Sequence, residues 1–232
     1  MRQKTKSLSL IMCVVLVLLS TVAGTLAYFT DADSATNTFT VGKVGITLTE
    51  YSKKGNNENI EEGTPNTEPG AEEGTVKITG YEYTLIPGLT YAKKPVVTVN
   101  ADSEDAYIRM KITVTNHSDL LAIYDETDLT KTDLLDWDTE NWIASAPVVD
   151  TVKNEGTYYF RYKEVVKKLA EPADTRDPLS PLFTTVQIPK ETNNQQLAAL
   201  KDLQIRVEAH AIQAAGFENA DAAWAAFDTQ HG

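Results

Sequence analysis

Any catalytic chemistry in this chain would have to be built from three histidines, His117, His210 and His231, and a large supply of carboxylates. No histidine has a second one four residues away, and H-E-x-x-H is missing, so the zinc pair of a metalloprotease helix is not encoded. His210 falls on the outward phase of an alternating stretch, where an ordinary surface histidine is expected. His231 lies in the terminal tail. A G-x-S-x-G nucleophile elbow, a phosphate-cradling glycine loop and a dinucleotide fingerprint are all missing. The expectation is a protein that is not an enzyme, with no catalytic, cofactor-binding or metal-ligating residues assigned.

Carboxylates crowd residues 116–150, where Asp119, Asp125, Glu126, Asp128, Asp133, Asp136 and Asp138 occur. Their spacing matches no EF-hand loop. Hard oxygen ligands suit calcium, which is the one cofactor this region would admit. Abundance alone does not make a catalytic carboxylate pair. Across the chain 33 acidic residues face 21 basic ones, a formal net charge of −12. A polyanion has no electrostatic reason to bind nucleic acid or anionic lipid. Acidity instead suits solubility, cation binding or salt-sensitive self-association.

The N-terminus reads as an export leader. Arg2, Lys4 and Lys6 precede the apolar run Leu10–Leu19, and small and polar residues follow up to Thr25-Leu26-Ala27. This is the signal-peptide pattern, with cleavage expected between Ala27 and Tyr28. The only cysteine, Cys13, lies inside the leader behind bulky Met12, which does not suit lipidation. The mature chain of residues 28–232 would then lack thiols and disulfides, and its stability must come from an apolar core. Removing three basic residues leaves 18 against 33 acidic ones, a net charge of −15. Its length suits a single domain that buries about 70% of its unfolded surface.

The mature start is organised around Tyr28–Leu48. Tyr28–Asn37 is polar. Phe39 and Val41 then share one phase, whereas Val44, Ile46 and Leu48 share the other, so the alternation slips at Gly42-Lys43. Either a β-bulge sits there, or 28–41 is an arm free to pair elsewhere. Residues 52–74 carry six glutamates, two lysines and several Gly, Asn and Pro, and they read as an acidic, mobile loop.

Strand patterns follow at 76–85, after Pro95, at 106–115, 157–166, 182–188 and 203–212. The clearest places Ala106, Ile108, Met110, Ile112 and Val114 inward, with Tyr107, Arg109, Lys111 and Thr113 outward. Trp137, Trp142 and Ile143 are the expected anchors of the irregular middle. Near the C-terminus Asn219 can cap a short helix whose Trp224 and Phe227, at i and i+3, pack as a lid. Many short alternating strands and few helices indicate an all-β fold, a two-sheet antiparallel β-sandwich.

Four segments carry a family resemblance: AYFTDADSATNTFTVGKVGITLTE at the mature start, Leu85–Tyr91, Leu182–Pro189, and Val207–Phe217 with the Trp224 helix. Together they resemble the TasA/camelysin family of secreted Gram-positive proteins, which includes biofilm-fibre subunits. The resemblance implies a jelly roll, export through a dedicated ER-type signal peptidase, and residence in the extracellular matrix or at the cell surface. It implies self-assembly into fibres, alone or with other matrix proteins, and contact with the membrane only during export. It further implies that residues 28–41 act as a donor strand completing a neighbour's sheet, with Phe39 and Val41 as its groove-filling side chains. The alternatives are a monomeric adhesin-like binding module, or a protease as described for some camelysins.

Overall fold

The strand with the most regular alternation, Ala106–Val114, is central to the large sheet. Its even-numbered residues Ala106, Ile108, Met110, Ile112 and Val114 are buried to 1% exposure or less. The computed structural model describes residues 30–34, 44–52, 60–69, 76–170 and 175–231. Its strands in chain order are β1 Thr30–Ser34, β2 Ile46–Tyr51, β3 Ile60–Glu61, β4 Thr64–Pro69, β5 Val76–Glu82, β6 Thr90–Ala92 and β7 Lys94–Val99. They continue with β8 Ala106–Val114, β9 Trp142–Ala144, β10 Val148–Asp150, β11 Glu155–Tyr162, β12 Thr185–Gln187 and β13 Ile205–Gln213. Among the described residues the helices are α1 His117–Tyr124, α2 Asn194–Ala199 and α3 Ala220–His231, with one 3₁₀ turn at Leu129–Lys131. The fold is mainly β with few short helices.

Among the described residues, six strands form an antiparallel sheet in the order β1-β13-β8-β11-β10, and β9 also pairs with β11. Register aligns the inward side chains: Met110 stands opposite both Phe160 and Ala209, and Ile112 opposite Tyr158 and Val207. Smaller sheets pair β2 with β7, β6 with both β12 and β3, and β4 with β5. Val44, Ile46, Val97 and Val99 from the β2–β7 region join Ile108, Met110, Phe160 and Ala211 in one core. Leu134, Trp142, Leu182 and Phe183 from the connecting segments close that core. Each large apolar side chain so buried contributes about 1.5–3 kcal/mol.

A second apolar cluster lies on the other face of the large sheet. There Ile212 meets Ala223, Trp224 and Phe227 of α3, with Tyr107 and Phe217 packed alongside. The helix begins as its sequence indicates, with Asn219 Oδ1 accepting the Ala222 amide at 3.0 Å.

Four details differ from the reading of the sequence. Arg109 and Thr113, placed outward on a half-buried strand, are only 4% and 7% exposed, and α3 covers this face at Arg109. Ile143 does not anchor the middle: it is 43% exposed, on the phase opposite buried Trp142, whose Nε1 donates to the Ser180 carbonyl at 3.1 Å. The range 52–74 contains β3 and β4. Main-chain pairing there needs little apolar burial, and buried Ser52 fixes the segment by accepting the Gly63 amide at 2.6 Å. A Cβ at Gly63 would meet the Tyr83 ring at 2.7 Å, so this close approach requires glycine. His210, the fourth detail, belongs to the site described next.

Candidate functional site

Two regions of the large sheet bring together groups able to do something beyond packing: the β1–β13 edge and the outer face under α3.

At the edge, β1 lies antiparallel to β13, with Thr30 opposite Ile212, Ala32 opposite His210 and Ser34 opposite Glu208. The β1 sequence, TDADS, offers no apolar residue larger than alanine. Its pairing is therefore a matter of main-chain hydrogen bonds. The expected cleavage residues Ala27 and Tyr28, the expected donor side chains Phe39 and Val41, and the phase break at Gly42-Lys43 lie outside the described residues, as does the leader. What is described of the 28–41 arm is a strand on its own chain's sheet.

On the outer face, Arg109 of β8 is the hub. Its guanidinium lies 4.5 Å from the ring centroids of Tyr159 and Trp224 and 5.1 Å from that of Phe227. It donates to both carboxylate oxygens of Asp228, at 3.1 and 2.6 Å. Its Nη2 also stands 3.2 Å from His210 Nδ1. His210 is only 7% exposed and stacks on Phe227 with 4.8 Å between centroids. The expected surface histidine is thus a buried one. It does point away from the main core, but α3 covers it. Next to it, Glu208 is held down to about 2, first by its interaction with His210 and then by Lys111, which donates to it at 3.2 Å.

His117, at the start of α1, is also buried, with its Nε2 2.6 Å from the Tyr158 hydroxyl. Burial pushes the Tyr158 phenol up to about 12 and His117 below its usual range. The space beside Tyr158 is about 10 Å³ and lined by Ile112, Val114, Trp137 and Phe160. The pair orders a junction, since Tyr158 also accepts the Leu129 amide at 3.3 Å.

Four carboxylates of the middle segment are engaged in local turns or in contacts with distant segments. Asp128 accepts the Thr130 amide, Asp136 the amides of Thr184 and Thr185, and Asp138 those of Glu140 and Asn141. Asp119 accepts from the Asn154 amide group. Among the described residues, no three His, Cys, Asp or Glu side chains gather closely enough to hold a metal ion.

The Arg109 cluster is what sequence reading missed. The signal was available in part: Trp224, Phe227 and Asp228 form one face of α3, and Tyr107, Arg109 and Ile212 are outward residues of neighbouring strands too apolar, or too well paired, for open solvent. The chain matches no protein-family model, no curated protein and no solved structure in the comparisons made.

Proposed function

We propose that this protein is a secreted structural subunit of extracellular fibres, a jelly-roll sandwich that joins its neighbours head-to-tail through its N-terminal strand. The observation that carries this reading is the β1–β13 edge. It accepts a short polar segment whose hold is mainly backbone hydrogen bonding, and the same bonds can be made by the same segment of another copy. Exchange of an identical element costs little, because the hydrogen bonds broken within one chain re-form between chains. An edge completed in this way is no longer open to uncontrolled pairing. Because arm and receiving edge are different surfaces, each added copy presents a fresh pair, and the assembly grows as a filament. Phe39 and Val41 are the apolar side chains of the proposed donor segment, and cleavage after Ala27 would free its start. The export leader and the high negative charge agree with a soluble subunit that polymerises outside the cell. The partner is a second copy of the chain, with other matrix proteins as further partners.

The test is removal of residues 28–41. The truncated protein is expected to fold and stay monomeric by size exclusion, while the mature chain forms filaments visible by negative-stain microscopy. Filaments from the truncated protein would overturn the proposal. A second reading, a monomeric adhesin-like module, is favoured by the pairing of β1 within its own chain. Persistence of the intact mature chain as a monomer over time and across ionic strength would select it.

A further inference from the structure

We propose that the C-terminal helix α3 is a pH-sensitive latch on the outer face of the large sheet, released when His210 becomes protonated. The inference is independent of whether the protein forms fibres.

The latch is built on Arg109, because three of the groups around its guanidinium, Trp224, Phe227 and Asp228, come from α3. A guanidinium has donors only and stays charged at any accessible pH. The nitrogen of His210 that faces it, Nδ1 at 3.2 Å, must therefore accept, which requires a neutral ring with its proton on Nε2. That neutral ring is the surface on which Phe227 stacks, and Phe227 in turn contacts the His231 ring at 4.4 Å. Protonation would turn the acceptor into a donor aimed at a donor and place a second positive charge beside Arg109. It would do so where water is largely excluded.

The charged and titratable groups around His210 pull in both directions. Arg109 and Lys111 from β8 oppose its protonation, and Tyr159 from β11 holds Arg109 in place. From α3 come Asp228, which is already paired to Arg109, and His231 against Phe227. Glu208 on β13 favours protonation, with its carboxylate 3.7 Å from Nε2. Yet that carboxylate is shared with Lys111, which contacts both of its oxygens at 3.2 and 3.3 Å. β1 contributes Ala32, uncharged, at the register position opposite His210. Burial first, and the neighbouring cations with it, hold His210 below the ordinary histidine value of 6.5. A group depressed on folding supports the docked state fully above that value, and its contribution is lost as pH falls through it. The seat has little to spare: among the described residues, Arg109 Nε and Trp224 Nε1 are buried with no hydrogen-bond partner.

The experiment is amide hydrogen exchange on the full chain, with protection corrected for the intrinsic pH dependence of exchange. Between about pH 7.5 and about pH 5, amides of 220–231 should lose protection severalfold, while those of β8 are unchanged. His210→Gln, which keeps an uncharged acceptor, should abolish this pH dependence. Unchanged α3 protection in the wild-type chain, or the same loss in the variant, overturns the proposal. If the variant fails to fold, NMR titration of the wild-type imidazole decides. A His210 value above the ordinary one overturns the latch, and a value below it, with α3 resonances shifting in parallel, supports it.

Discussion

Lys93 carries the sharpest electrostatic consequence at the scale of single residues. It is 7% exposed and paired with Glu50, and burial brings its amine down to about 8. The unfolded chain would hold this proton up to about 10.5, so between the two values the unfolded state binds more protons than the folded one. Stability should therefore rise with pH across that window, by on the order of 2–3 kcal/mol. Lys93→Met should erase the rise, which denaturant melts at stepped pH from about 7.5 to about 10 would register as a flat profile. Wild-type stability should turn down again above about 10, where the unfolded tyrosines ionise before Tyr83, Tyr91, Tyr124 and Tyr158, all raised by burial, do. The variant isolates the lysine because it retains all four tyrosines.

At the scale of elements, α3 and the three strands beneath it behave as a second, thinner layer of packing. Among the described residues, only four apolar side chains, Ile212, Ala223, Trp224 and Phe227, are buried there, against more than twenty in the main core. A large-to-small change should thus loosen the helix without melting the sheet. Phe227→Ala removes a ring 1% exposed that contacts His210, Trp224 and His231. Such a truncation costs about 3–5 kcal/mol in a rigid core, and detachment of the helix caps the loss here. Limited proteolysis is expected to clip 214–231 from the variant first, leaving a fragment with the strand signature of the parent in circular dichroism. Simultaneous loss of both would mean that α3 is integral to the main core.

At the scale of the whole molecule, charge governs encounters between copies. The mature chain expected from the leader carries a net −15, so subunits repel as they approach. Screening over about 8 Å at physiological salt relieves most of that repulsion. Under the proposed fibre function, filament growth should accelerate as salt is raised from about 0.02 M to about 0.3 M, followed by light scattering at fixed protein concentration. Slower growth in higher salt would point instead to assembly through complementary charged patches.

The sequence by itself determined most of the local pattern. Alternation at Ala106–Val114 fixed which side chains face the core, since a strand's period of two leaves no other choice once one face is buried. Asn219 and the Trp224–Phe227 spacing located α3, and the mainly β character followed from many short alternating runs. What the sequence left open depends on which elements meet. His210 has the phase of a surface residue, and it is buried only because a helix that begins ten residues later folds back over its strand. Arg109 is likewise an outward residue until Asp228, far along the chain, supplies its counter-charge. Strand pairing is just as non-local. Nothing in TDADS specifies β13 as a partner, because backbone donors and acceptors are the same at every residue and register is set by whichever edge is in reach. Tertiary structure alone decided that this polar segment closes the edge beside His210.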